Sequence, residues 1–140
     1  GWTERAWLKT FFPYDDRMTW AAPAAAAAAR WIPSLSGKPV VFSTSPPLSS
    51  HIAAGRIAAK FGLAWVADFR DPLAANFNRR AMLGRLADRY LEHWIVDRAD
   101  FILMNTDAAA WDLAKRHPVA AAKVGFIPNG YDPADRLCPL

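Results

Sequence analysis

The chain has 140 residues, 53% of them apolar and 21% charged, which is one domain's worth of a globular composition. No apolar run nears the ~18 residues of a membrane span, the opening Gly1-Trp2-Thr3-Glu4-Arg5 carries charge without the apolar h-region expected of a secretory signal, and the single Cys138 excludes an internal disulfide framework and a cysteine-based zinc site. Seventeen Lys and Arg against 13 Asp and Glu give +4. With no basic stripe interleaved with aromatics, that excess argues against nucleic acid while permitting phosphates or acidic lipid. A reducing, cytoplasmic setting fits.

Trp2 to Trp20 is rich in aromatics, with Trp7, Phe11, Phe12 and Tyr14 between them, on a poor amphipathic pattern. These side chains suit either a hydrophobic core or a peripheral contact at a bilayer interface. Asp15-Asp16 reads as a solvated turn. The alanine-rich Ala21 to Trp31 reads as a helix, with Pro23 in its first turn and Pro33 as its stop.

Pro39-Val40-Val41-Phe42-Ser43 predicts a strand that ends in the polar, stiff Ser43-Thr44-Ser45-Pro46-Pro47. A helix is expected from about Leu48 to Phe61, stopped by Gly62. Ser49, Ser50 and His51 fall in its first turn, where free N–H groups and the helix dipole favour an anion. His51 is a candidate ligand there, and equally a surface imidazole. Ala64-Trp65-Val66-Ala67 predicts a strand buried on both faces, which breaks at once into Asp68-Phe69-Arg70-Asp71.

After Leu73, the Asn76-Phe77-Asn78 tip is placed to cover a cleft. A long helix is expected from about Arg79 to Arg98, with Leu83, Leu86, Tyr90, Leu91, Trp94 and Ile95 as its apolar stripe. Phe101 to Met104 is the third strand. Thr106 predicts the cap of a helix running to His117, and Lys123 to Ile127 the last strand. This alternation predicts an α/β, three-layer, Rossmann-like parallel sheet with helices on both faces. All four strands then bring their carboxyl ends to one rim, where open α/β sheets bind ligands. That rim collects Ser43-Thr44-Ser45, Asp68-Phe69-Arg70-Asp71, Asn105-Thr106 and Asn129-Gly130, while the opposite rim holds ordinary turn residues.

Four of these pieces occur together and in order: Ser43-Thr44-Ser45-Pro46-Pro47, Asp68-Phe69-Arg70-Asp71-Pro72, Ala99-Asp100-Phe101-Ile102 and Ile127-Pro128-Asn129-Gly130-Tyr131-Asp132. The set resembles the amino-terminal domain of family 4 glycosyltransferases, in the branch that builds bacterial surface polysaccharides, over roughly residues 20–132. The resemblance implies a GT-B enzyme with two Rossmann-like domains, the first holding the acceptor and the second the nucleotide-sugar. The 140 residues then form part of the first domain, with its opening strands and the second domain expected elsewhere. It also implies retention of anomeric configuration, no metal and no cofactor, the nucleotide-sugar being a substrate, with a glycan or lipid-linked acceptor.

By the same resemblance Arg70 stands where many members carry a histidine. An arginine cannot act as a base, so its role becomes electrostatic. Catalytic candidates are thus Arg70 and Asp71, and substrate-binding candidates are Ser45, His51, Asp68, Asn129 and Gly130. The plainer reading of Arg70 is a salt bridge to Asp68 or Asp71 that pins the loop. Two other functions share the architecture: a sugar-nucleotide epimerase, for which His51 is the one rim candidate for proton transfer, and a non-catalytic binding module.

Overall fold

Alanine fills Ala21–Trp31, and that stretch is helix α1 in the computed structural model, which describes Asp15, residues 18–74 and residues 82–130. Expectations about residues 2–14, the Asn76-Phe77-Asn78 tip and the chain beyond Gly130 lie outside the described residues. The alternation continues as β1 (Val40–Ser45), α2 (Ser49–Phe61), β2 (Ala64–Phe69), α3 (Met82–Arg98), β3 (Phe101–Met104), α4 (Asp107–Arg116) and β4 (Val124–Phe126). Local chemistry sets the ends. Gly62, at φ 62°, takes the left-handed turn that stops α2. Thr106 Oγ1 accepts the Ala109 N–H at 3.2 Å and starts α4. Strand β1 runs two residues further than its apolar pattern suggests, because Thr44 and Ser45 still pair with Asp68 and Phe69.

The four strands are all parallel and lie in the order β1-β2-β3-β4. The fold is therefore the expected α/β class, a four-stranded parallel sheet flanked by helices. Residues that pair across strands share a face. Ser43, Ser45, Trp65, Ala67, Phe69, Ile102 and Met104 form the buried one. Against it pack Ile52, Ala53 and Ala54 of α2, Leu91, Ile95 and Val96 of α3, and Leu113 of α4. Since each strand lies beside its predecessor, crossovers of one hand carry α2, α3 and α4 to the same face. The other face shows Val40, Phe42 and Phe101 to solvent among the described residues.

Two details decide how the helices sit. Gly55 of α2 has no room for a side chain: a Cβ there would lie 3.0 Å from Trp65 and closer still to Trp94. Its absence lets α2 settle onto the two indoles, whose centroids are 5.9 Å apart. Helix α3 is turned differently from the expected stripe. Leu91 and Ile95 are buried as predicted, but Leu86 and Tyr90 are exposed, and Asp88 and Glu92 are buried in their place. Positions 88, 92, 95 and 96 follow i, i+3/i+4 spacing, so placing Ile95 and Val96 against the sheet brings both carboxylates inside with them.

Candidate functional site

The carboxyl ends of β1 and β2 are held together as a pair. Thr44 and Asp68 are partners in register, and Thr44 Oγ1–H donates to Asp68 Oδ2 at 2.6 Å. One step on, the Arg70 N–H donates to the Ser45 carbonyl at 3.2 Å. The Arg70 guanidinium and the Asp71 carboxylate are then exposed beyond the strand end. Among the described residues Arg70 makes no ion pair with either aspartate, so the pinning salt bridge is not formed. Asp68 has Thr44 instead. The loop is held from further along, by Leu73, which is buried, and by the Ala74 N–H, which donates to Glu92 Oε2 at 3.0 Å.

The Ser-Pro-Pro turn after β1 is braced by Ser50, whose Oγ–H is within reach of the Pro47 carbonyl at 2.8 Å and of the Thr44 carbonyl. Ser45 is buried on the helical side of the sheet, so its carbonyl, not its hydroxyl, meets the rim loop. The amino end of α2 is capped by Leu48, which has no polar side chain to offer. The Ser49 N–H donates to Asp15 Oδ2 at 2.6 Å, so a carboxylate from the same chain meets the helix terminus where a bound anion is expected. Asp15 is thereby a helix partner and not a free solvated turn.

His51 lies under the rim, not on it. It is fully buried, with its ring 4.6 Å from that of Phe69. Ser43 Oγ is 2.8 Å from its Nδ1 and accepts the Trp65 Nε1–H at 2.8 Å. Trp65 only donates. The arrangement that satisfies all three atoms has the Ser43 hydroxyl donate to Nδ1, which leaves the imidazole proton on Nε2. Burial brings the His51 pKa from 6.5 down to about 3, so the ring is neutral. Its Nε2 and the buried Ser49 Oγ have no partner among the described residues.

Asn129 and Gly130 leave β4 at the same rim, just after the Ile127 N–H pairs with the Met104 carbonyl at 2.9 Å. Both are exposed. They stand two strands from β2, about 10 Å away. The structure thus brings Thr44, Asp68, Arg70 and Asp71 to one place, sets Asn129 and Gly130 at the far side of that rim, and puts Ser45 and His51 beneath it.

The sequence reading missed Glu92. Its Oε1 accepts Arg116 Nε–H at 3.1 Å and lies 3.0 Å from His117 Nε2, and its Oε2 takes Arg116 Nη2–H at 3.1 Å as well as the Ala74 N–H. Partial burial works against the charge on Arg116, but the bonds to Glu92 and the nearby Asp112 outweigh it and raise its pKa. One carboxylate therefore ties the loop after Asp71 to the end of α4. The available signal was its spacing, four residues after Asp88 and three before Ile95 on the buried side of α3. Among the described residues no three of His, Cys, Asp and Glu converge to hold a metal ion.

No curated protein matches the chain at a significant level. The sequence signature of the glycosyl transferase 4-like domain does, over residues 3–130. A match of that length, which takes in all four strands and both sides of the polar rim, shows that the chain belongs to the glycosyl transferase 4-like domain family.

Proposed function

We propose that this domain is the acceptor-side wall of a retaining, GT-B-type glycosyltransferase. It moves a sugar from a nucleotide-sugar to a glycan or lipid-linked acceptor of the surface-polysaccharide kind, in the cytoplasm. The observation that carries this reading is the exposed Arg70–Asp71 pair at the carboxyl end of β2, beside an Asp68 already oriented by Thr44. Arg70 has no carboxylate partner of its own among the described residues, so its planar fork is open to an anion. In this mechanism Arg70 meets the negative charge that develops on the departing diphosphate. Asp71 accepts a hydrogen bond from the attacking acceptor hydroxyl, and Asp68 holds a second hydroxyl. Asn129 and Gly130 border the entry of the donor, which a second domain grips. The nucleotide-sugar is a substrate, and no resident cofactor is invoked.

The epimerase reading loses its proton carrier. His51 is buried and neutral, with Nδ1 engaged by Ser43, and offers no nitrogen to the rim. The test is sugar transfer by the full-length protein across a panel of nucleotide-sugars, with Arg70→Gln and Arg70→Lys alongside. Losing one such contact costs on the order of 2.7–4 kcal/mol of transition-state stabilisation, so kcat should fall ~100-fold or more in Arg70→Gln. The melting temperature should hold, because Arg70 lies outside the core. Near-normal kcat in a folded Arg70→Gln protein removes Arg70 from the mechanism. Absence of transfer from every nucleotide-sugar overturns the reading itself.

A further inference from the structure

Among the described residues, two hydrogen bonds hold the backbone of the loop that carries Arg70 and Asp71. At its start the Arg70 N–H donates to the Ser45 carbonyl at 3.2 Å, and at its end the Ala74 N–H donates to Glu92 Oε2 at 3.0 Å. Between these pins Leu73 is buried, while Pro72 has no N–H to offer and keeps Asp71 out of the helical region. The Arg70 and Asp71 side chains have no hydrogen-bonding or ionic partner among the described residues. Where these two groups stand is therefore decided by the backbone. The pins are four residues apart, so a shift at Ala74 has little chain in which to die away before it reaches Asp71.

The far pin is a rigid one. The Glu92 side chain is 3% exposed. Arg116 Nε–H at 3.1 Å and His117 Nε2 at 3.0 Å meet its Oε1, and Arg116 Nη2–H at 3.1 Å shares its Oε2 with Ala74. An ionised carboxylate has about four acceptor sites, and these contacts fill them. Three come from the end of α4 and fix how the carboxylate is turned, so the fourth holds the loop against a fixed point. Buried and fully engaged, Glu92 has nothing to offer a substrate. Whatever it contributes to activity passes through the loop.

We propose that Glu92 is a positioning residue for the rim, which sets the place of Arg70 and Asp71 by holding the Ala74 amide. The inference rests on the proposed part of Arg70 in sugar transfer. There a misplacement of about 1 Å at a reacting contact costs on the order of 100-fold in rate, so a tie three residues beyond Asp71 is felt in the chemistry as well as in the fold.

The experiment is a double-mutant cycle in the full-length protein: Glu92→Leu, Arg70→Gln and the two combined, assayed for sugar transfer below the melting temperature of the least stable variant. Leucine keeps most of the bulk at position 92 and removes the acceptor. Glu92→Leu should lower kcat on the order of 10–100-fold with KM for the nucleotide-sugar nearly unchanged. The same substitution should cost much less in the Arg70→Gln background, because the group it places is already gone. Lys123→Met is the control for lost stability. It removes the Nζ–H bond to the Ala99 carbonyl at the opposite rim, and should lower the melting temperature with kcat unchanged. Amide hydrogen exchange reads the loop without any activity. In Glu92→Leu the Arg70 amide should exchange about tenfold faster or more, while the amides pairing β2 with β3 keep their protection. Should Glu92→Leu not fold, Ala74→Pro carries the same cycle and the same Arg70 readout, since it deletes the loop's donor and leaves the ion pairs of Glu92 in place. Unchanged protection at Arg70 overturns the proposal. So does an additive cycle, or an equal loss of kcat in Lys123→Met. A wild-type protein that transfers no sugar removes the transferase reading instead, and the Arg70 amide then decides alone whether Glu92 places the rim.

Discussion

His51 shows how one buried residue writes a pH dependence into the fold. Its pKa is about 3 in the folded chain against 6.5 when unfolded. Below pH 6.5 the unfolded chain therefore binds a proton that the folded chain refuses. The sign follows: the contribution is fully present above pH 6.5 and is lost progressively as pH falls toward 3, at up to about 1.4 kcal/mol per pH unit. Urea unfolding of wild type and His51→Asn at pH 7 and pH 5 measures it. The variant should be less stable at pH 7 yet lose less on acidification; His93 and His117 remain in both proteins and cancel. Equal losses would refute the assignment. Ser43→Ala tests the same cluster from the other side. It leaves the Trp65 indole N–H and His51 Nδ1 buried without a partner, and should cost about 1–3 kcal/mol by thermal unfolding.

At the scale of elements, two contacts set how helices meet the sheet and its loops. Gly55→Ala pushes a methyl into the fully buried Trp65 and the half-buried Trp94, whose rings pack against each other. Despite the better helix propensity of alanine, the change should destabilise by about 1–3 kcal/mol, read as a lower denaturant midpoint with unchanged slope. Glu92→Ala leaves Arg116 with Asp112 as its carboxylate partner and frees the Ala74 N–H. Breaking a buried pair costs about 3–5 kcal/mol. The low end is expected here, because Arg116 keeps Asp112 and some contact with water. Hydrogen exchange adds a local readout: the Ala74 amide should lose protection, while the amides pairing β2 with β3 keep theirs. Unchanged protection at Ala74 would show that the rim loop does not depend on Glu92.

For the whole molecule, the uncovered sheet face has the largest consequence. Val40 and Phe42, 58% and 60% exposed, lie on β1, which is an edge of the sheet among the described strands, and Phe101 continues the apolar row across it. An open edge beside an apolar face invites pairing with a second chain. The 140-residue chain should therefore self-associate in sedimentation velocity as its concentration rises. Phe42→Lys should restore monomer, because a charge on that face opposes burial. A wild-type chain that stays monomeric at high concentration would count against an exposed docking face.

The sequence by itself determined what neighbouring residues decide. Apolar runs bounded by Gly62, Thr106 and Pro118 gave the alternation of helices and strands, and the alternation gave a parallel sheet with one polar rim holding Asp68, Arg70 and Asp71. These signals are local: propensity, caps and a period of two or 3.6 residues. Only the tertiary structure decided the partners. His51 reads as a rim residue because it opens a helix, and the residues that share its side of that helix at i+3, i+4 and i+7, Ala54, Gly55 and Ala58, are too small to mark it as a core face; docking on Phe69 buried it. Asp68 found Thr44 across the strand register in place of Arg70 beside it in sequence. Glu92 drew its donors from Ala74 before α3 and from Arg116 and His117 at the end of α4. A hydrogen bond between residues tens of positions apart depends on strand register and helix rotation, and a one-dimensional pattern does not encode either.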